Sequence, residues 1–234
     1  MTTIRSILYT AHPAAWQDLA TALGLRRHDA PADDDWTEFD GDGVLAIHRV
    51  DAGSADDGRI DLQVLVADLP AVRRELDRAE LAVRTSTLAD VGELLTVDAA
   101  GAPVAITTAD RAAVGGDLSV MPIRYASSVP EAARVFRAIG LGPRIAADGG
   151  GWADFTADDG GLAALHHGED GRTELSFEHR GDLDALAARL RAGGYEADVV
   201  DEAYNRTVLV TTPDGWRLWV NGAQEDLHGY SRQD

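Results

Sequence analysis

The sequence predicts an α+β protein built from four strand–helix–three-strand (βαβββ) modules. They form two tandem domains, each of two modules. Three observations predict this: an internal repeat spanning nearly the whole chain, helical periodicity closed by glycines, and alternating strand-like segments set off by Gly- and Asp-rich turns.

The repeat is ordered. Ile7-Leu8-Tyr9, followed by Pro13-Ala14-Ala15-Trp16 and Ala22-Leu23-Gly24-Leu25, returns as Ile123-Arg124-Tyr125, Pro130-Glu131-Ala132-Ala133 and Ala138-Ile139-Gly140-Leu141. Trp36-Thr37-Glu38-Phe39 returns as Trp152-Ala153-Asp154-Phe155, and Leu45-Ala46-Ile47-His48 as Ala163-Ala164-Leu165-His166. Asp61-Leu62-Gln63-Val64 leading to Asp68-Leu69 returns as Glu174-Leu175-Ser176-Phe177 leading to Asp182-Leu183. The offsets, 116 from Tyr9 to Tyr125, 116 from Trp36 to Trp152, 118 from His48 to His166 and 114 from Asp68 to Asp182, drift only as loop insertions allow.

Each element follows from local pattern. Trp16, Leu19, Ala20 and Leu23 share a helical face that Gly24 closes. Val129 to Ile139 repeats this, with Ser128 as N-cap, Pro130 in the first turn and Gly140 at the end. Ile60 to Val66 and Thr173 to Phe177 alternate like half-buried strands. They feed the N-caps Asp68 and Asp182 and the helices Leu69–Ala79 and Leu183–Ala192, the last closed by Gly193-Gly194. Gly41-Asp42-Gly43, Ala99-Ala100-Gly101, Asp158-Asp159-Gly160-Gly161 and Pro213-Asp214-Gly215 mark tight turns between strands. One such unit leaves a sheet face bare, so units must pair. The expected division is a first domain over 1–110, a linker over 111–117 containing Gly115-Gly116, and a second domain over 118–234.

Composition narrows function. With 45% hydrophobic and 26% charged residues, the chain is expected to be globular. No window approaches the roughly 18 apolar residues of a membrane span. The start Met1-Thr2-Thr3-Ile4-Arg5 lacks the pattern of a signal peptide, and there is no cysteine for disulfides or thiolate-held metals. The cytoplasm is the expected compartment. A net charge of −19 disfavours nucleic acid and suits a cationic ligand, although general solubility is the simpler account of it. The expected partner is a small molecule, with no nucleic acid and no membrane, bound to a monomer or homodimer.

The fourfold unit resembles the vicinal oxygen chelate superfamily, which includes glyoxalases, bleomycin resistance proteins and extradiol dioxygenases. Thr212-Pro213-Asp214-Gly215-Trp216-Arg217-Leu218-Trp219 is similar to that superfamily's closing turn and strand. Glu174 to Glu178, followed by Asp182 to Leu186, is similar to the start of its second module. The resemblance implies incomplete barrels whose concave faces hold a divalent ion on His, Glu or Gln from separate strands. Transferred by alignment, those positions fall near Val120, Glu174 and Trp219 in the second copy and near Ile4, Asp61 and Ala105 in the first. One carboxylate among three positions is not a ligand set. The expectation is therefore no cofactor, since the ligand positions do not support a divalent metal.

The candidate ligand-binding residues are Asp61, Gln63, Trp152, Glu174, Ser176, Glu178 and Trp219. Glu174, Ser176 and Glu178 alternate on one strand face, where they line a cleft or simply meet solvent. Trp36, Trp152, Trp216 and Trp219 could stack a flat or cationic ligand, or serve as packing. His48 and His166 occupy equivalent positions, for which local hydrogen bonding is the plainer account than catalysis. The resulting expectation is a metal-free, bleomycin-resistance-like binder of a small cationic or aromatic molecule. The alternative is an enzyme of the superfamily's type, a lyase, isomerase or dioxygenase. It would use Glu174 or His166 as base, or a divalent metal site that the alignment does not recognise.

Overall fold

The computed structural model describes residues 1–30, 33, 35–88, 91–101, 103–109, 114–202 and 205–233. The strand–helix–three-strand order recurs four times. The first module comprises β1 (Thr2–Thr10), α1 (Pro13–Leu23), β2 (Arg26–Arg27), β3 (Trp36–Gly41) and β4 (Gly43–Arg49). The second comprises β5 (Ile60–Val66), α2 (Leu69–Arg78), β6 (Val83–Leu88), β7 (Gly92–Asp98) and β8 (Pro103–Thr108). In the third, the first strand comes in two pieces, β9 (Leu118–Val120) and β10 (Ile123–Ala126), before α3 (Val129–Ile139), β11 (Gly142–Ala147), β12 (Trp152–Thr156) and β13 (Leu162–His167). The fourth opens on β14 (Thr173–Glu174) and β15 (Ser176–His179), then α4 (Leu183–Ala192), β16 (Ala197–Asp201), β17 (Arg206–Thr211) and β18 (Arg217–Gly222). A short β19 (Tyr230–Arg232) follows and pairs with β11. Of the expected linker, 111–113 lie outside the described residues; β8 ends at Thr108 and β9 begins at Leu118.

The first half makes one eight-stranded sheet, ordered β2-β3-β4-β1-β5-β8-β7-β6, with β1 and β5 antiparallel at its centre. The second half repeats this order as two sheets, β14-β10-β13-β12-β11-β19 and β16-β17-β18-β15-β9. The strand expected over Thr173 to Phe177 is therefore interrupted at Leu175. Opposite it, the first strand breaks at Met121-Pro122, where proline has no N–H to offer the ladder. Met121 N–H and Ser176 Oγ–H still bridge the gap, donating to Ser176 O at 3.0 Å and Met121 O at 2.6 Å.

The helices start and stop where the sequence places their caps. Asp68 accepts from Ala71 N–H, Ser128 from Glu131 N–H, and Asp182 from Asp184 and Ala185 N–H. Gly24 and Gly140 close α1 and α3 in the left-handed conformation.

Both hydrophobic cores draw on both halves of the chain. One joins Leu62, Val64, Leu95 and Ile106 of the second module to Phe136, Phe155 and Leu165 of the third. The other joins Leu8, Trp16, Leu19 and Phe39 of the first module to Phe177, Leu186, Leu190 and Val220 of the fourth. Correspondingly, α1 packs against α4 and α2 against α3. The apolar stripe of each helix is thus sandwiched between its own sheet and a helix from the other half of the chain.

The seam between the halves is tied by Asp42, in the turn between β3 and β4. Its carboxylate accepts from Ser119 Oγ at 2.5 Å, Arg180 Nη1 at 2.9 Å and Gly161 N–H at 3.0 Å. Burial pushes the Asp42 pKa up, but the bonds from Ser119, Arg180 and Gly161 prevail and hold it below the ordinary value. Here Gly43 (φ +91°) and Gly161 (φ +92°) pass so close that a Cβ on Gly43 would lie 2.9 Å from the Gly161 Cα.

Candidate functional site: the concave cleft of the second half

Alternation along the strands decides what faces each cleft. On the central strands of the second half, Met121, Ile123 and Tyr125 face inward, as do Glu174, Ser176 and Glu178. Leu175 and Phe177 pack beneath α4, as their apolar character requires. Parallel pairing of β15 with β18 sets Trp219 beside Ser176 and Asn221 beside Glu178. These groups, with Trp152, Asp154, Arg144 and Tyr230, line a cavity of about 470 Å³.

An arginine clamp occupies one wall. Arg144 donates through Nη1 and Nη2 to the two Glu178 oxygens at 2.9 and 2.7 Å, and through Nε and Nη2 to the two Asp154 oxygens at 3.0 and 2.9 Å. Burial works against the guanidinium charge, yet the bonds to Asp154 and Glu178 outweigh it and raise the Arg144 pKa above its ordinary value. A β-bulge at Arg144, between the Pro143–Phe155 and Ile145–Asp154 pairs, explains how this side chain reaches the cleft. The clamp leaves two carboxylates against one guanidinium, a net negative patch.

The rim carries an aromatic ladder. Three adjacent strands place Trp152 opposite His166 and His166 opposite Tyr125. The ring centroids lie 6.0 Å apart for Trp152 and His166 and 5.2 Å for Tyr125 and His166. Arg172 sits 4.0 Å over the Tyr125 ring and pairs with Glu174 at 2.9 Å, and Tyr125 Oη–H donates to Glu174 at 2.9 Å. Burial first, then the Glu174 carboxylate, push the Tyr125 phenol above its ordinary pKa, so it acts as a hydrogen-bond donor. The first half holds the same group: Trp36, His48, Tyr9, Arg59 and Asp61. Its cleft is otherwise different, because Arg5 reaches across it from β1 to Glu38 at 2.7 Å and Gln63 at 2.8 Å. Glu38 and Asp154 are repeat-equivalent, so the same carboxylate position is met by arginines arriving from different strands.

The positions transferred for metal ligands need correction. Ile4 and Val120 are fully buried in the cores, on the opposite face of their strands. The inward residues at that level are Arg5 and Met121, one position along. The rung that converges with Arg5 is Gln63 and Ala105; the rung beside Met121 is Ser176 and Trp219. Glu174 and Asp61 therefore lie two residues off the convergent point. Neither rung fits a divalent ion: one carries a guanidinium, and the other offers a thioether, a hydroxyl and an indole. Among the described residues no group of three His, Cys, Asp or Glu gathers as a ligand set.

Of the residues singled out in the sequence, Trp152, Glu174, Ser176, Glu178, Trp219 and His166 come together in this cleft. Asp61 and Gln63 do not. Gln63 lies in the first cleft with Arg5, and Asp61 joins Arg59 at the seam. His166 Nδ1 lies 2.8 Å from the His167 carbonyl oxygen, the local bond expected of a strand-end histidine. Sequence reasoning missed Arg144, Asp154, Met121, Asn221 and Tyr230. Asp154 was within reach, since it alternates with Trp152 inside a repeat-matched segment. Arg144 depends on a bulge and Tyr230 on a strand outside the repeat, so neither left a periodic signal.

No family model and no curated protein matches the chain. Solved structures do. A catechol 2,3-dioxygenase matches with TM-score 0.63 at 19% identity over 98% of this chain and 94% of the other. The 2,3-dioxygenase LapB from Pseudomonas sp. KL28 matches with TM-score 0.65 at 13% identity, covering 99% and 92%. The Mn(II)-bound glyoxalase from Novosphingobium aromaticivorans gives TM-score 0.63 at 14% identity, covering 95% and 81%. At these identities the likeness is one of fold.

Proposed function

We propose that this chain, which carries the vicinal oxygen chelate fold, binds a small aromatic or cationic molecule in the concave cleft of its second half without a resident metal ion. In this reading residues 1–110 form a supporting domain and residues 118–234 the binding domain. The observation that carries it is the composition of the cleft. Where strands converge, Met121, Ser176 and Trp219 replace a ligand set, while Trp152, Trp219 and Tyr230 supply flat faces beside the Arg144–Asp154–Glu178 clamp. The buried Trp152 indole N–H has no partner among the described residues, so a ligand bearing an acceptor there would satisfy it. A ring carrying positive charge would also meet the net negative clamp and the aromatic faces. A solved neighbour of the same fold is named as a catechol 2,3-dioxygenase, which favours an aromatic ligand for the cleft.

Catalysis by Glu174 or His166 has less support. The Glu174 carboxylate is occupied by Arg172 and Tyr125, and the His166 ring is packed between Trp152 and Tyr125 with its Nδ1 against the His167 carbonyl. The deciding experiment is a thermal-shift screen of the full chain against heteroaromatic cations and neutral phenols, with metal analysis of the dialysed protein. Saturable stabilisation that is lost in Trp152→Ala supports the reading. Stoichiometric Mn, Fe, Ni or Zn surviving dialysis would overturn the metal-free part, and a panel-wide lack of response would overturn the rest.

A further inference from the structure

A second cavity, of about 630 Å³, opens at the seam where β5 approaches β14, and it is rich in arginine. Arg59, Arg124, Arg172 and Arg217 line it, against the carboxylates of Asp61 and Glu174. Most of that positive charge is already matched by carboxylates. Three of the arginines have acidic partners: Arg59 meets Asp56 and Asp61, Arg172 meets Asp170 and Glu174, and Arg217 meets Asp198. Arg124 has none within 4 Å among the described residues. It donates to Thr173 Oγ1 and, at 2.7 Å, to the Pro103 carbonyl, both neutral.

Arg124 is also the most deeply placed of the four. It is only 4% exposed, and its buried Nε–H has no hydrogen-bond partner among the described residues. The repeat makes this placement informative. Its equivalent in the first half is Leu8, fully buried in the core, so packing at this strand position is satisfied by an apolar side chain. A buried, unpaired guanidinium is costly, and nothing in the packing calls for it. Burial pulls its pKa down to about 10, with Asp61 and Asp98 opposing from a distance.

We infer that the seam cavity binds a small oxyanion, a phosphate or carboxylate group, with Arg124 as its principal charged contact. A guanidinium has five donors in a planar fork, and Arg124 uses two of them on protein atoms. An oxyanion entering the cavity would satisfy the charge and take up unused donors. Arg59 and Arg172 are each held by two carboxylates, which leaves Arg124 as the cation of the cavity with charge to spare for a ligand. This site is separate from the proposed aromatic cleft, with which it shares only the Glu174, Leu175 and Trp219 wall.

The test is titration of the full-length protein by calorimetry and thermal shift with inorganic phosphate, and in parallel with a dicarboxylate such as succinate, against chloride at matched ionic strength. Saturable binding of either anion beyond the chloride control is expected, and the stronger arm identifies the group. Arg124→Met is expected to abolish that response while remaining folded by circular dichroism. Arg124→Lys keeps a charge without the fork and is expected to weaken binding by about tenfold or more. Trp152→Ala should leave the anion response unchanged, which separates this site from the cleft. Equal responses in wild type and Arg124→Met, or no response to either anion in wild type, would overturn the inference.

Discussion

The Trp16 indole Nε1–H donates a 2.7 Å hydrogen bond to the Asp214 carboxylate, joining helix α1 to the turn between β17 and β18. Thr10 Oγ donates to the same carboxylate at 3.2 Å, and Trp216 packs on Trp16 with centroids 5.4 Å apart. A turn motif near the end of the chain is thereby locked to its first helix. Trp16 is fully buried, so Trp16→Ala should cost about 3–5 kcal/mol in urea denaturation. Trp16→Phe keeps the bulk and loses the bond, and should cost about 1–3 kcal/mol. A double-mutant cycle with Asp214→Ala should show coupling; strict additivity would mean that the bond contributes nothing.

Because each core mixes a module from each half, neither half should fold alone. Residues 114–234 expressed separately would expose Phe136, Phe155, Phe177 and Leu190, all fully buried in the intact chain. The expected result is an aggregated or molten fragment by near-ultraviolet circular dichroism, recovered when both halves are co-expressed. A cooperative thermal transition in the isolated fragment would contradict this.

Asp42 ties the seam as a carboxylate, and its pKa is held below the ordinary 3.8. The sign follows by linkage: its contribution is fully present above the unfolded-state value and disappears as pH falls through the lower folded-state value. Asp42→Asn should therefore destabilise at pH 7 by about 1–3 kcal/mol. The gap from wild type should narrow only below pH 3.8, measured by denaturant titration across the acid range. An equal gap throughout that range would remove the electrostatic part of the account.

Removing Arg144 leaves Asp154 and Glu178, with side chains 2% and 5% exposed, without their shared counter-ion. Arg144→Met should cost about 3–5 kcal/mol at neutral pH. Arg144→Lys keeps a charge there without the fork, so by urea denaturation it should lose clearly less than Arg144→Met. Equal losses in the two variants would point to packing alone.

Arg124→Met should behave in the opposite way. It replaces an unpaired buried cation with an apolar side chain of similar length, at a position where the first half has Leu8. In the absence of added anion, stability by urea denaturation should be unchanged or higher, by up to about 4 kcal/mol. A loss above about 2 kcal/mol would mean that the bonds to Thr173 and Pro103 matter more than the charge.

What the sequence determined by itself was whatever depends on neighbours along the chain. Ser128, Asp68, Asp182, Gly24 and Gly140 fixed the helix ends because caps act within one turn. The matched segments around Tyr9 and Tyr125, and around Trp36 and Trp152, revealed the repeated unit because duplication preserves order and spacing. Alternation in Glu174, Ser176 and Glu178 put those side chains on one face for the same local reason. Tertiary structure alone decided which distant strands lie side by side. It moved the inward register from Val120 to Met121, brought Arg144 through a bulge onto Asp154 and Glu178, and left Arg124 unpaired at a seam between halves. Such placements depend on which side of a pleat meets which partner, and a one-residue shift reverses every side chain.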